Sequence, residues 1–379
     1  MNETNKSQPV KPMHIVHTEA SCGWGGQEIR ILTEAVGMQG RGHRVTLVCP
    51  EQAPIYREAQ KRGLPAVALP IGRKNLKGLF ALRRWLKTQQ VDVINTHSST
   101  DSWLSALARI GLENPPAIVR TRHISPPISN NWTTRWLYTR GTDFIVTTGE
   151  RLRETLIREN GFPAESIMSV PTGIDPAAFA PGDKVSAREK LGLPVDKVII
   201  GIVATIRSWK GHVYLVEAIA KLQRADLLLL MVGEGPNRHN VENAVETFGL
   251  HDQVYWAGNQ ENVADWLRAM DLFVLPSYAN EGVPQSIMQA MFCQLPVVST
   301  PVGSVDEIVR DGQTGLMTTP QDANALSQTI GRILAAPELG RQLAEAGCQL
   351  VKNGYALNGM LERMEQVFDR ACRGRRSRG

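Results

Sequence analysis

Short apolar runs alternate with longer segments of helical periodicity along most of the chain. The segment from about Gln27 to Gly40 predicts a helix, because its apolar residues recur at spacings of three and four. This alternation is typical of a parallel sheet covered by helices on both faces. Six apolar runs in the first half predict buried strands, at Met13–Thr18, Val45–Cys49, Ala66–Leu69, Val91–Asn95, Ala117–Arg120 and Phe144–Thr147.

The pattern restarts after a polar stretch rich in Gly and Pro, Gly182–Pro194. The sequence therefore predicts two Rossmann-like domains, residues 13–180 and 181–355. A disordered segment, 1–12, is expected before them. The last segment, 356–379, is expected to form a helix over about Ala356–Ala371 that returns to the first domain, followed by a basic tail. Because ligands of open α/β sheets bind beyond the carboxyl ends of the strands, we expect a cleft between the domains. Six further runs predict the second set of strands, at Val198–Val203, Leu227–Val232, Val254–Ala257, Leu272–Pro276, Pro296–Thr300 and Gly315–Met317.

Composition excludes several classes of protein. The 379 residues are 42% hydrophobic and 21% charged, which is ordinary for a globular chain and excludes wholesale disorder. No run approaches the ~18 apolar residues of a membrane span. The first dozen residues lack the apolar core of a signal peptide, so a cytoplasmic location is expected. The five cysteines are scattered and form no CxxC, which argues against a disulfide framework and against a zinc site.

Positive charge is concentrated in the first half of the chain. Residues 1–180 carry 22 Lys and Arg against 15 Asp and Glu, hence +7, and the remaining residues supply −2 of the total of +5. Five arginines lie in the last ten residues, and Arg73–Lys87 predicts a basic amphipathic helix. These features predict contact with an anionic membrane surface. The alternatives are a solvated surface and a helix that packs its apolar stripe on the sheet. Nucleic-acid binding is not predicted, because aromatic residues are not interleaved with the basic ones.

Three segments at predicted strand ends could bind an anion. Gly25 and Gly26 lie in a loop that leads into a helix, whose first N–H groups are free to face a phosphate. Arg207 and Lys210 follow a buried strand, and two cations there could neutralise a diphosphate. Gly282 precedes a helix predicted from about Gln285 to Met291. A tight turn or a charged surface loop is the structural alternative for each segment taken alone.

The ordered set of motifs resembles the retaining GT-B glycosyltransferases of family 4, from about Met13 to Phe368. The landmarks are Gly25-Gly26, Arg41-Gly42-His43, Asp92 to His97, Val170 to Asp175 with Phe179 and Pro181, Lys210-Gly211, Gly233 to Pro236, Pro276-Ser277, Glu281 to Pro284, Pro296 to Val298, Gly303, Glu307 to Val309, Asp311-Gly312 and Gly315. The resemblance implies the GT-B architecture: two Rossmann-like domains facing across a central cleft. It also implies transfer of a hexose or N-acetylhexosamine from a nucleotide diphosphate sugar, and a UDP-sugar is the expected donor. The implied acceptor is a glycan or a lipid-linked molecule in the assembly of surface polysaccharide or lipopolysaccharide.

The resemblance also implies roles for particular residues. His97, at the end of a predicted strand, is expected in the cleft with Arg207, Lys210 and Glu281 as the catalytic set. Arg122 and His123 are candidates for acceptor binding. The expected donor-binding residues are Gly25, Gly26, Gly233, Gly282, Val283, Pro284, Gln285, Ser286 and Gln289.

Two positions depart from the family pattern. The second glutamate of the pair eight positions apart is replaced by Gln289, which lacks the charge that strengthens hydrogen bonds to ribose hydroxyls. The arginine expected five positions before Lys210 is Thr205, and Arg207 is the candidate substitute. These departures leave room for a non-catalytic subunit that binds nucleotide sugars. A sugar-nucleotide 2-epimerase of the same fold is the other alternative.

The sequence contains no Asp-x-Asp motif and no cluster with metal-ligand spacing. Neither a metal nor a cofactor is therefore expected, and cationic side chains and helix N–H groups must stabilise the leaving diphosphate. The resemblance implies that the acceptor hydroxyl attacks from the face that the diphosphate leaves, so that the anomeric configuration is retained.

Overall fold

The computed structural model describes residues 11–123, 128–279 and 281–376. Within these residues, two sheets of parallel strands are each covered by helices, which confirms the predicted α/β class with two Rossmann-like domains. Of the predicted N-terminal segment 1–12, only the last two residues are among those described.

The N-terminal sheet has seven described strands in the order 3-2-1-4-5-6-7. The six predicted strands are present, with ends shifted by up to two residues. The strand at Ile167–Ser169 was not predicted, because three residues show no clear alternation. The strands are β1 (His14–Thr18), β2 (Arg44–Cys49), β3 (Ala66–Ala68), β4 (Val93–Thr96), β5 (Ala117–Arg122), β6 (Phe144–Thr147) and β7 (Ile167–Ser169). The helices are α1 (Gly26–Gly40), α2 (Pro54–Lys61), α3 (Leu76–Lys87), α4 (Ser99–Ala108), α5 (Trp132–Thr139) and α6 (Glu150–Arg158).

The C-terminal sheet has six described strands in the order 10-9-8-11-12-13. Its strands are β8 (Val198–Val203), β9 (Leu227–Val232), β10 (Val254–Gly258), β11 (Leu272–Leu275), β12 (Val297–Ser299) and β13 (Leu316–Met317). Its helices are α7 (Lys184–Leu191), α8 (His212–Leu222), α9 (Arg238–Thr247), α10 (Val263–Arg268), α11 (Gln285–Phe292), α12 (Ala323–Ala335) and α13 (Pro337–Gly354). The central strands of this sheet, β8, β9 and β11, are near-continuous apolar runs, as expected for a sheet buried on both faces.

The last helix, α14 (Leu357–Arg376), leaves the C-terminal domain and packs on the N-terminal one. Met360, Met364 and Phe368 are fully buried in the same core cluster as Ile15 and Leu32. The helix extends to Arg376, whereas the sequence predicted an end near Ala371. Much of the basic tail is thus helical, and Arg373 and Arg375 lie beside Asp369 and Asp143.

Candidate active site

The loops that follow the parallel strands bring the two domains into contact. The backbone N–H of Val283 donates to the Thr148 carbonyl at 3.1 Å. The side-chain amide of Gln285 donates to the Gly26 carbonyl at 2.6 Å. Beside them, a Glu307 carboxyl oxygen accepts from the Glu150 N–H at 2.7 Å, at the start of α6. The predicted donor segments therefore lie where the two domains meet.

Lys210 and Glu281 form an ion pair between the loops after β8 and β11. The Lys210 Nζ lies 2.6 Å from Glu281 Oε1, and the Ser277 hydroxyl donates to the same oxygen at 2.6 Å. Glu281 is buried, whereas the Lys210 side chain is 20% exposed. A phosphate that approaches this site would therefore meet the lysine first, while the carboxylate fixes the position of the ammonium group.

Arg207 is exposed beside Lys210, at the start of a 3₁₀ turn, Ser208–Lys210. Its guanidinium carbon lies 5.2 Å from the centre of the Trp209 ring. The Trp209 carbonyl accepts from the Tyr278 N–H at 2.8 Å, which joins this turn to the loop after β11. Arg207 is therefore free to move toward an anionic ligand, whereas Lys210 is already positioned.

Two of the predicted donor-binding glycines allow close backbone approaches. Gly233 has a φ of 132°, and a Cβ there would overlap the Ala204 carbonyl oxygen. A Cβ on Gly282 would overlap the Thr148 hydroxyl oxygen of the other domain. Glycine is thus required at both positions by packing, and a role in donor binding stays a prediction.

The helix α11 places the remaining predicted donor residues at the domain contact. Pro284 is its N-cap residue, so the first N–H groups of the helix are free to bind an anion. Its Ile287, Met288 and Met291 are buried on the sheet, whereas Gln285, Ser286 and Gln289 are half-buried on another face. Gln289 lies one turn after Gln285, so it shares the face that meets the N-terminal domain.

Three histidines from the N-terminal domain form a chain of hydrogen bonds. The His17 Nδ1 lies 3.0 Å from His97 Nε2, and the His97 Nδ1 lies 2.9 Å from His123 Nε2. The rings of His17 and His97 are nearly parallel, with an interplanar angle of 10°. Burial lowers the pKa of His97 and His123 well below the usual range, and lowers that of His17 to about 3. The chain is therefore neutral at pH 7 and links the sheet interior to the loop beside Gly282.

Acid should destabilise the protein through this chain. The unfolded state binds protons at histidines below about pH 6.5, whereas the folded state keeps His17 neutral down to about pH 3. The free energy of unfolding should therefore fall as pH falls below 6.5, by up to about 1.4 kcal/mol per pH unit and per histidine. In urea unfolding between pH 7.5 and 5, the free energy of unfolding should depend less on pH for His17→Gln than for the wild type. The matched control is His239→Gln, at an exposed position, and equal slopes in the wild type and His17→Gln would contradict the expectation.

Two buried carboxyl groups that the sequence did not single out hold these loops. Asp101 accepts from the Thr18 hydroxyl, from the His97 and Ser98 N–H groups and from the Ser98 hydroxyl. Glu19 accepts from the Ser21 N–H and from Gln27, and burial raises its pKa to about 8. Asp101 was recognisable in the sequence as the partner of Ser98 in a capping box. Glu19 had no such local signal.

The structure offers no metal centre in the part of the chain that it describes. Across residues 11–123, 128–279 and 281–376, no group of three His, Cys, Asp or Glu side chains is placed to hold an ion.

Two family models match consecutive parts of the chain. Residues 24–178 match Glycosyltransferase Family 4, and residues 183–349 match Glycosyl transferases group 1. The boundary between the matches coincides with the boundary between the two sheets. Both domains are therefore glycosyltransferase domains, and the chain is a glycosyltransferase of the GT-B fold.

Individual proteins agree with this assignment. The chain is 29% identical to a D-inositol 3-phosphate glycosyltransferase of Stackebrandtia nassauensis over 67% of its length and 63% of that protein. It is 26% identical to the alpha-D-kanosaminyltransferase of Streptomyces kanamyceticus over 90% of its length and 98% of that protein. Anabaena HepE, solved in complex with UDP-glucose, shares the fold with a TM-score of 0.84 at 18% identity, over 94% of this chain and 99% of that one.

Proposed function

We propose that the protein transfers a hexose or N-acetylhexosamine from a UDP-sugar to a glycan or lipid-linked acceptor in surface polysaccharide or lipopolysaccharide assembly. The reaction retains the anomeric configuration and needs no metal. The observation that carries this proposal is the Lys210–Glu281 pair, which lies beside the free N-terminus of α11 where the two domains meet. The UDP-glucose bound to Anabaena HepE supports a nucleotide-sugar donor.

In the proposed reaction, the bond from the anomeric carbon to the diphosphate breaks while a bond to the acceptor oxygen forms on the same face. A phosphate oxygen takes the acceptor proton. Lys210, Arg207 and the N–H groups of α11 stabilise the negative charge of the leaving diphosphate, and such electrostatic stabilisation usually contributes most to the rate enhancement. Glu281 keeps Lys210 in place and binds hydroxyl groups of the sugar in the proposed complex. Both ring nitrogens of the neutral His97 already bind His17 and His123, so His97 contributes to the site through this hydrogen-bonded chain.

Thermal shifts with UDP-, GDP- and ADP-sugars test the donor. A ligand that binds only the native state adds about 2.7 kcal/mol of stability at a hundredfold excess over its Kd. UDP-sugars should stabilise the protein most, and chelation of divalent metal should leave both the shift and turnover unchanged. Stabilisation by none of the three would refute the proposed donor site.

The same donor separates the proposal from its two alternatives. With labelled UDP-sugar and no acceptor, a transferase gives at most slow hydrolysis, whereas a 2-epimerase converts the donor. A non-catalytic subunit would bind the donor and transfer nothing to any acceptor.

Substitution of Gln289 tests ribose binding. Gln289→Leu removes both hydrogen-bonding groups and should weaken donor binding. Gln289→Glu offers a charged acceptor worth about 1.5–3 kcal/mol against about 1 for a neutral one, yet it also repels the donor diphosphate. We expect these effects to offset, so that affinity changes less than about tenfold. Calorimetric titration of the wild type, Gln289→Leu and Gln289→Glu with the cognate nucleotide measures these affinities. Full affinity in Gln289→Leu would show that Gln289 does not bind ribose.

The proposal also places the enzyme on the inner face of an anionic membrane through α3. Leu82 and Leu86 pack on the domain, but Leu76 and Phe80 are 68% and 59% exposed. From Ala59 to Val91 the chain has eight Lys and Arg and no Asp or Glu. Exposed apolar side chains among cations suit an anionic lipid surface. No helix in the described ranges is long and apolar enough to span a membrane.

Vesicle sedimentation tests this surface. Each Lys or Arg near such a membrane contributes about 1 kcal/mol, and salt screens it. Binding to vesicles rich in phosphatidylserine should fall steeply with added salt and several-fold in Leu76→Ser with Phe80→Ser. The control pair is Val185→Ser with Val195→Ser, at exposed positions in the other domain. Equal binding to neutral vesicles would contradict the proposal.

A further inference from the structure

A buried ion pair lies at the inner end of the histidine chain. Arg30 and Glu34 are one turn apart on α1, and both side chains are fully buried, with 3.6 Å between Arg30 Nε and Glu34 Oε2. The Arg30 Nη1 donates to the Val170 carbonyl at 2.7 Å. A buried ion pair is often no more stabilising than apolar side chains of similar volume, which points to a task besides packing.

Glu34 also faces the first histidine of the chain. Its Oε1 lies 4.0 Å from His17 Nε2 and accepts from the Asn95 amide at 3.1 Å. The Thr121 hydroxyl donates to Asn95 Oδ1, so the amide nitrogen of Asn95 is turned toward Glu34. The His17 Nε2 is buried and has no hydrogen-bond partner among the described residues. A carboxylate oxygen is thus the group that this nitrogen faces.

A carboxylate at this place affects which ring nitrogen of His17 carries the proton. A neutral imidazole has one N–H donor and one acceptor nitrogen. The Glu34 carboxylate repels a lone pair on His17 Nε2 and attracts an N–H there, and this preference is strong because both groups are buried. Arg30 does not offset it, because its Nε faces Glu34 and its Nη1 binds Val170. This favours the proton on Nε2 and leaves Nδ1 as the acceptor.

The hydrogen bonds carry this preference to the other two histidines. His17 Nδ1 lies 3.0 Å from His97 Nε2, so an acceptor at the first atom requires an N–H at the second. His97 Nδ1 is then the acceptor for the N–H of His123 Nε2, at 2.9 Å. All three rings have the proton on Nε2 in this arrangement. The remaining lone pair is on Nδ1 of the half-buried His123, which has no hydrogen-bond partner among the described residues.

His123 lies where the two domains meet. The Thr148 hydroxyl donates to its carbonyl at 3.3 Å, and a Cβ built on Gly282 would lie 3.4 Å from the same oxygen. We propose that Glu34 is a positioning residue that fixes the tautomers of the histidine chain, so that His123 Nδ1 is an acceptor for a substrate hydroxyl between the domains. Phosphate oxygens only accept hydrogen bonds, so an acceptor nitrogen favours a sugar hydroxyl here and leaves the diphosphate to Lys210. The inference rests on the proposed function, because it concerns the substrates of that site.

Imidazole ¹⁵N NMR of the full chain tests the tautomers, because protonated and unprotonated ring nitrogens differ widely in chemical shift. At pH 7 the wild type should have the proton on Nε2 in His17, His97 and His123, with the signals assigned through the bonded carbons of each side chain. A proton on Nδ1 in any of the three would overturn the inference. This measurement needs neither a variant nor a substrate, so it is independent of the proposed function.

Glu34→Gln removes the charge and keeps the shape of the side chain. The positive charge of Arg30 is then uncompensated and favours a lone pair on His17 Nε2, so the form with the proton on Nδ1 should become the major one in all three histidines together. Glu34→Asp keeps the charge and should keep the proton on Nε2. The matched control is Asp143→Asn, at another buried carboxylate of the domain that pairs with an arginine, Arg109, and it should change no tautomer. Unchanged tautomers in Glu34→Gln would overturn the inference.

Steady-state kinetics separate this role from a purely structural one. Loss of the acceptor at His123 should lower kcat/KM about fivefold in Glu34→Gln, which is the effect of one neutral hydrogen bond. In a His123→Ala background the same substitution should change kcat/KM less than about twofold, because its effect passes through His123. Equal effects in the two backgrounds would overturn the inference. No transfer by the wild type would instead refute the proposed function, and the tautomers then decide the inference alone.

Discussion

Lys210→Ala should slow turnover about a hundredfold or more while the protein stays folded. Removal of one group that stabilises a developing oxyanion costs about 2.7–4 kcal/mol, or 10²–10³ in kcat. Lys210 is the cation that Glu281 holds at the domain contact, with 2.6 Å between Nζ and Oε1. Its loss removes a charge of the proposed diphosphate site and leaves the buried Glu281 carboxylate with Ser277 as its hydrogen-bond donor. Steady-state kinetics with the cognate UDP-sugar measure the effect.

The matched control is Lys221→Ala, which removes a lysine of the same domain that pairs with Glu217 on a helix surface. It should leave kcat unchanged. Arg207→Ala should also slow turnover about a hundredfold, because the exposed guanidinium is the second cation of the proposed diphosphate site. Normal turnover in both Lys210→Ala and Arg207→Ala would remove the phosphate site from this part of the cleft.

Gly303→Ala should damage both stability and donor binding. Gly303 has a φ of 59°, and a Cβ there would overlap the carbonyl oxygen of Glu281. The left-handed backbone and the overlap each cost about 1–3 kcal/mol. Relief of the overlap shifts the backbone at Glu281, and we expect this shift to weaken the ion pair with Lys210. We expect the Tm to fall by several degrees and the affinity for UDP to fall at least tenfold.

Gly312→Ala is the control for this prediction. Gly312 has a similar φ of 68° in the same domain, but nothing lies within 4 Å of a Cβ built there. It should therefore show the backbone strain alone, with a smaller fall in Tm and unchanged affinity for UDP. Equal effects of the two substitutions, measured by thermal unfolding and calorimetric titration, would show that the contact with Glu281 has no functional weight.

The two-domain α/β fold was predictable because its information is local. Buried parallel strands are short apolar runs, and the restart of the pattern near Val198 marks the second sheet. The strand that the sequence did not predict, Ile167–Ser169, is a three-residue edge strand whose pairing with β6 depends on tertiary contacts. The helix α14 ends later than predicted, since the apolar spacing gives no signal once Cys372 is passed.

The residues of the candidate site also fall into two groups, those that local motifs predict and those that only the fold brings together. The sequence by itself determined the loops after strands, the glycines and the cations Arg207 and Lys210, because each lies within a short motif. It did not determine the His17–His97–His123 chain, because these histidines are separated by 80 and 26 residues. It also did not determine the burial of Arg120 against the Tyr138 ring, because these two residues lie on different elements. Parallel strands bring their carboxyl ends together whatever their distance in the chain. Only the tertiary structure could therefore decide which polar side chains meet there, which are stripped of water, and which pKa values change as a result.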